Sequence, residues 1–66
     1  MTRPTYGVYE AQTTDGEKFR FCCSSVRLVS LMREIEEGRW SIRPDSVRLI
    51  YTTDDRNEAR AMAAEF

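Results

Sequence analysis

The sequence predicts a small α+β domain: a three-stranded antiparallel sheet of spatial order 2-1-3, with two helices on one face. Three observations lead to this prediction. Residues 6–23 alternate apolar and polar side chains around a glycine-containing turn, a pattern typical of a β-hairpin. Residues 26–35 and 59–66 carry apolar residues at helical spacing. A single apolar-polar segment between them, residues 47–53, completes the order ββαβα.

The turn near Gly16 decides the register of the hairpin. A two-residue loop would place the polar side chain of Gln12 opposite Phe19. A three-residue loop over residues 14–16, with the glycine in the left-handed region as a bulge, places Tyr9 opposite Phe21 instead. Only the second register separates an apolar face from a charge-paired face. Because several cross-strand pairs together can select a register, we expect the three-residue loop.

The first helix has recognisable signals at both ends. Ser24 or Ser25 is a suitable N-cap, because its hydroxyl can accept a hydrogen bond from the first turn. Gly38 suits the left-handed position that follows a helix. The apolar stripe between these ends consists of Leu28, Leu31, Met32 and Ile35, and Val26 and Val29 are expected to widen it.

The segment after this helix leads into the third strand. We expect Trp40 and Ile42 to lie over the core, with a short extra strand as the alternative, and Pro44 and Asp45 to form a turn. The strand itself is expected over residues 47–53, beside the first strand and antiparallel to it. Alternation places Val47, Leu49 and Tyr51 on one face of this strand, and Arg48, Ile50 and Thr52 on the other.

The second helix begins with a capping-box pattern, in which Asp55 is followed three residues later by Glu58. Its apolar stripe consists of Ala59, Met62, Ala63 and Phe66. Each helix has one stripe, so we expect both helices on the same face of the sheet and the opposite face open.

Composition limits the classes of protein to be considered. The 66 residues are expected to form one domain, residues 1–66, near the lower limit for a self-sufficient core. The adjacent Cys22 and Cys23 cannot supply a disulfide framework, which favours a reducing, cytoplasmic location. No segment is apolar enough for the membrane, and no signal peptide is recognisable. The net charge of −1 argues against a strongly basic nucleic-acid binder.

Candidates for catalysis are few, so we expect no enzyme, catalytic residue, cofactor or metal site. Histidine, the usual proton shuttle, is absent. Asp54 and Asp55 lie where a helix N-terminus favours negative charge in any case. Cys22 and Cys23 lack the further ligands that a zinc site needs.

The open sheet face is the predicted binding surface, with an apolar centre and basic margins typical of a protein interface. We expect a protein-interaction module that binds another protein or a second copy of itself, as a small regulator or inhibitor of the phage or mobile-element type. The expected contact residues are Tyr6, Val8, Arg20, Arg48 and Ile50. The next candidate surface is the acidic end of the first helix, at Glu34, Glu36 and Glu37.

The alternative function is nucleic-acid binding on the sheet. Basic and aromatic residues alternate over residues 18–21, as on sheets that stack nucleotide bases. The glycines of the RNA-recognition signature are missing, and core positions for Phe19 and Phe21 explain the same pattern. The phosphate-binding residues of this alternative would be Lys18, Arg20, Arg43 and Arg48.

Overall fold

The computed structural model describes residues 5–64. It confirms a three-stranded antiparallel sheet in the order 2-1-3 and two helices. Residues 1–4 and 65–66 are outside the description, so the predicted place of Phe66 in the last apolar stripe lies outside the described residues. The elements are β1 (Tyr6–Gln12), β2 (Lys18–Ser24), α1 (Ser25–Glu36), a 3-10 turn (Pro44–Ser46), β3 (Arg48–Thr53) and α2 (Arg56–Ala64).

The hairpin has the predicted three-residue loop. Tyr9 lies opposite Phe21, and their rings stack with centroids 5.3 Å apart. The loop is closed by a hydrogen bond of 2.8 Å from the Thr13 amide to the Glu17 carbonyl, and Gly16 has a φ of 94°. The register is therefore confirmed, and local cross-strand pairing is sufficient to explain it.

Helix α1 begins and ends as the sequence predicts. The hydroxyl of Ser24 accepts a hydrogen bond of 3.2 Å from the Arg27 amide, which makes Ser24 the N-cap. Gly38, with a φ of 81°, follows the helix, and its amide donates to the carbonyl of Ile35 at 3.0 Å. In residues 5–64, no helix combines the length and apolar character needed to cross a membrane.

Helix α2 uses half of the predicted capping box. The Asp55 carboxylate accepts hydrogen bonds from the amides of Asn57 and Glu58, at 2.9 and 3.3 Å. The reciprocal bond is replaced, because the Asp55 amide donates to the Thr53 hydroxyl at 3.1 Å. The Glu58 carboxylate instead accepts a hydrogen bond from the Tyr51 hydroxyl, so it ties α2 to the sheet.

Strand β3 contains a bulge that changes which side chains share a face. Tyr9 pairs with Leu49, whereas Val8 pairs with Tyr51, so Ile50 is an extra residue on β3. Directly paired residues point to the same side of a sheet. Leu49 therefore shares a face with Tyr9 and Tyr51 shares one with Val8, which corrects the expectation that Leu49 and Tyr51 lie on the same face.

Helix α2 covers the face that the sequence analysis expected to be open. Val8 and the α2 residue Ala59 are both 0% exposed. Tyr51, on the Val8 face, is bonded to Glu58 of the same helix. Small side chains at Val8 and Ala59 allow a helix to pack closely on a sheet.

Helix α1 packs on the opposite face of the sheet. Its residue Leu31 lines a groove together with Phe19 and Phe21, which lie opposite Ala11 and Tyr9 in β1. The sheet is thus covered on both faces, and the expectation of two helices on one face needs correction. The physical reason is that β1 is the central strand and carries apolar side chains on both sides, so each side needs a cover.

The connection from α1 to β3 runs along the edge of β1. Ile42 forms an isolated antiparallel bridge with Thr13, and the Arg43 amide donates to the Gln12 carbonyl at 2.9 Å. The Gln12 amide donates to the Ser46 hydroxyl, also at 2.9 Å. This segment therefore continues the line of β3 and places Ile42 on the same face as Tyr9.

Candidate functional site

The residues predicted to form an open apolar patch do not form one. Val8 is fully buried under α2, so it cannot touch a partner. Ile50 is half-buried at the bulge of β3, and Tyr6 lines a pocket with side chains of α2. The prediction of an open patch assumed that this face of the sheet is uncovered, whereas α2 covers it.

The predicted basic residues are brought together around an acidic one. Arg48 forms an ion pair of 3.0 Å with Glu10, which also lies opposite Arg20 in the hairpin. Lys18 and Arg48 line one shallow pocket that includes Glu10, and Arg43 is attached nearby through its backbone. The carboxylate at the centre lowers the local positive potential, which weakens the case for a nucleic-acid backbone site here.

The most distinctive open surface is an apolar groove on the α1 face of the sheet. Its volume is about 410 Å³, and its accessible lining is entirely apolar. Contiguous apolar surface of this kind is typical of an interaction site. We call it the aromatic groove; it is lined by Thr13, Phe19, Phe21, Leu31, Trp40 and Ile42.

Trp40 is the most exposed of the groove's large side chains, at 47%, and it is held in position. Its indole N–H donates to Glu34 Oε1 at 3.1 Å, and Arg27 donates to Glu34 Oε2 at the same distance. The hydrogen bond from Arg27, followed by that from Trp40, lowers the pKa of the Glu34 carboxyl. The acidic end of α1, the second candidate surface, thus has a positioning role at Glu34.

Among the described residues 5–64, the groove lies beside an edge of the sheet that no further strand covers. Strand β2 is at the edge, because the order is β2-β1-β3. The backbone groups of Gln12 bond to Arg43 and Ser46 on the β3 side, so Lys18, which lies opposite Gln12, directs its own backbone groups outward. By the alternation of an antiparallel ladder, every second residue from Lys18 to Cys22 does the same.

The surroundings of Cys23 disfavour its thiolate form. Cys22 and Cys23 are free and half-buried. Burial, with a smaller effect of the neighbouring Cys22, raises the pKa of the Cys23 thiol, whereas a nucleophilic cysteine needs a lowered one. Within the part of the chain that the structure describes, no three acidic or thiol side chains are grouped as a metal ion would require.

Sequence reasoning assigned the groove residues to other roles. It placed Phe19 and Phe21 in the core, and Trp40 and Ile42 over it. These residues do pack together, but incompletely, and the gap between α1 and the connection forms the groove. The only sequence signal for the groove is the surplus of large apolar residues near one end of the hairpin.

No protein-family model, curated protein or solved structure matches this chain.

Proposed function

We propose that the protein is a non-enzymatic interaction module that binds an extended segment of another protein along the free edge of β2. An apolar side chain of that segment enters the aromatic groove. The observation that carries this proposal is the entirely apolar groove beside the edge of β2, which no other strand in residues 5–64 pairs with. Such a module can act as a regulator or inhibitor when the bound segment belongs to a working surface of its partner.

An extended segment fits this surface better than a helix does. The outward backbone groups of β2 can continue the ladder with an added strand, which is a common mode of peptide recognition. In an added strand, alternate side chains point toward the α1 face. There they meet the groove, so backbone pairing supplies affinity and the groove supplies selectivity for an apolar residue.

A different protein fits better than a second copy of this chain. If two copies paired through their β2 edges, the side chains on the groove side would again be Phe19 and Phe21. Phe21 is already stacked on Tyr9 of its own chain, and Phe19 packs against Phe21. Neither side chain is available to enter the groove of the other copy.

Selection of peptides tests the proposal without knowledge of the natural partner. Random twelve-residue peptides would be displayed and selected on the immobilised protein. We expect the bound peptides to share an aromatic or branched aliphatic residue. Trp40→Ala should weaken their binding about tenfold or more, because truncating a tryptophan that dominates an interface costs about 2 kcal/mol or more. Fluorescence polarisation of a labelled peptide measures the change.

A matched control uses the other exposed apolar residue on the same sheet face. Leu49 is 54% exposed and lies on β3, away from the groove lining, so Leu49→Ala should leave the affinity unchanged. Failure to select any peptide, or equal affinity for the protein and Trp40→Ala, would contradict the proposal. Dimerisation in light scattering that Trp40→Ala abolishes would show instead that a second copy occupies the groove.

A further inference from the structure

A second pocket lies at the opposite end of β2 from the aromatic groove, and it has the opposite character. Its volume is about 500 Å³. Three arginines reach it from two helices that lie on different faces of the sheet, and the described residues of its lining include no acidic side chain. We call it the arginine pocket; it is lined by Tyr6, Cys22, Cys23, Ser24, Arg27, Arg56 and Arg60.

Within the described residues 5–64, two of the three guanidinium groups have no ion-pair partner. Arg27 is paired with Glu34 at 3.1 Å. Within residues 5–64, the side chains of Arg56 and Arg60 make no ion pair or hydrogen bond. These two arginines are one turn apart on α2 and therefore repel each other. No ion pair among residues 5–64 offsets this repulsion, whereas an anion bound between the two guanidinium groups would.

The start of α1 adds to the positive potential of the pocket. Ser24, the N-cap of α1, is part of the lining, and the first turn of the helix contains no acidic residue. The exposed amides of a helix N-terminus attract negative charge. Arginine forks and backbone amides are the donors that proteins use to hold oxyanions.

We propose that the arginine pocket binds a phosphate group carrying two negative charges. Two guanidinium groups without an ion pair among residues 5–64 match two charges, and their planar donor arrays can bind phosphate oxygens in pairs. The group is either free phosphate or a phosphoryl group on a protein segment. A segment along β2 can reach both sites, because Phe19 and Ser24 are five residues, or about 17 Å, apart on an extended strand.

Titration with inorganic phosphate at constant ionic strength tests this inference. Amide NMR spectra should show saturable shifts at Ser24 and in α2. Arg56→Gln and Arg60→Gln should each weaken binding about tenfold, because each removes a charge-assisted hydrogen bond. The matched control is Arg43→Gln, which removes the same charge beside Gln12, at the far end of the sheet.

A second arm distinguishes the two sources of the phosphate group. A blocked Gly-phosphoserine-Gly peptide is compared with inorganic phosphate and with the same peptide without the phosphoryl group. Tighter binding of the phosphopeptide than of phosphate indicates a group on a protein segment; equal binding indicates free phosphate. Both results support phosphate binding in the arginine pocket, and neither depends on peptide binding in the aromatic groove.

Two results would overturn the inference. One is the absence of saturable binding for both phosphate and the phosphopeptide. The other is an equal loss of affinity in Arg43→Gln and Arg56→Gln, which would mean that diffuse charge rather than the pocket attracts the anion. Circular dichroism of each variant checks that the fold is retained.

Discussion

Replacing Val8 by alanine tests the placement of α2 on the sheet. Val8 is 0% exposed, and the change removes two buried methyl groups. At about 0.8 kcal/mol for each buried carbon, the transfer cost is about 1.6 kcal/mol. The cavity left between α2 and β1 raises the total loss to about 2–3 kcal/mol. A domain of this size has a total stability of only about 3–5 kcal/mol, so much of it would be lost.

Urea denaturation followed by Trp40 fluorescence and far-ultraviolet circular dichroism measures this loss. Leu49→Ala is the control, because Leu49 is 54% exposed on the other face and should lose less than about 1 kcal/mol. A smaller loss in Val8→Ala than in Leu49→Ala would refute the reasoning. It would mean that the Val8 face is open and that α2 lies elsewhere.

Three further changes test the turn, the groove and the contact between α2 and the sheet. Gly16→Ala should cost about 1–2 kcal/mol in urea denaturation, because a φ of 94° strains any side chain even though open space surrounds the site. The pKa of Glu34 is lowered in the folded state. The hydrogen bonds to its carboxylate therefore stabilise the fold fully at a pH above the ordinary carboxyl pKa. This stabilisation is lost as the pH falls through the lowered pKa. Trp40 fluorescence should therefore show a transition below the ordinary carboxyl range, and Glu34→Gln should abolish it. Tyr51→Phe should lower the midpoint of thermal unfolding, because the bond to Glu58 is lost; an unchanged midpoint would contradict that role.

The hairpin could be predicted from the sequence because its determinants are local. Tyr9 and Phe21 are brought together by a short loop, and only one loop length gives consistent faces. The caps of α1, Ser24 and Gly38, are likewise set by neighbouring residues.

The covering of the sheet could not be predicted in the same way. Whether Val8 is buried depends on which face α2 packs against, and that helix is about fifty residues later in the chain. The extra residue at Ile50 reflects pairing between β1 and β3, which no local pattern records. One signal in the sequence could have predicted the two-sided cover. The central strand β1 has apolar side chains on both sides, and such a strand is covered on both faces.

The aromatic groove could not be predicted from the sequence either, because it depends on how separate segments pack. The aromatic groove combines β2, α1, the hairpin end and the connection before β3. A gap between such segments depends on how closely they pack, and side-chain type alone does not determine it.

Amide hydrogen exchange with and without a selected peptide tests the binding surface most directly. We expect the peptide to slow exchange at Lys18 and Cys22, whose amides point outward from β2, and to shift the indole N–H signal of Trp40. The amide of Thr52 serves as the control, because β3 forms the other edge of the sheet. Its exchange should be unchanged. Slower exchange at Thr52, with β2 unaffected while the peptide is bound, would contradict the proposed site.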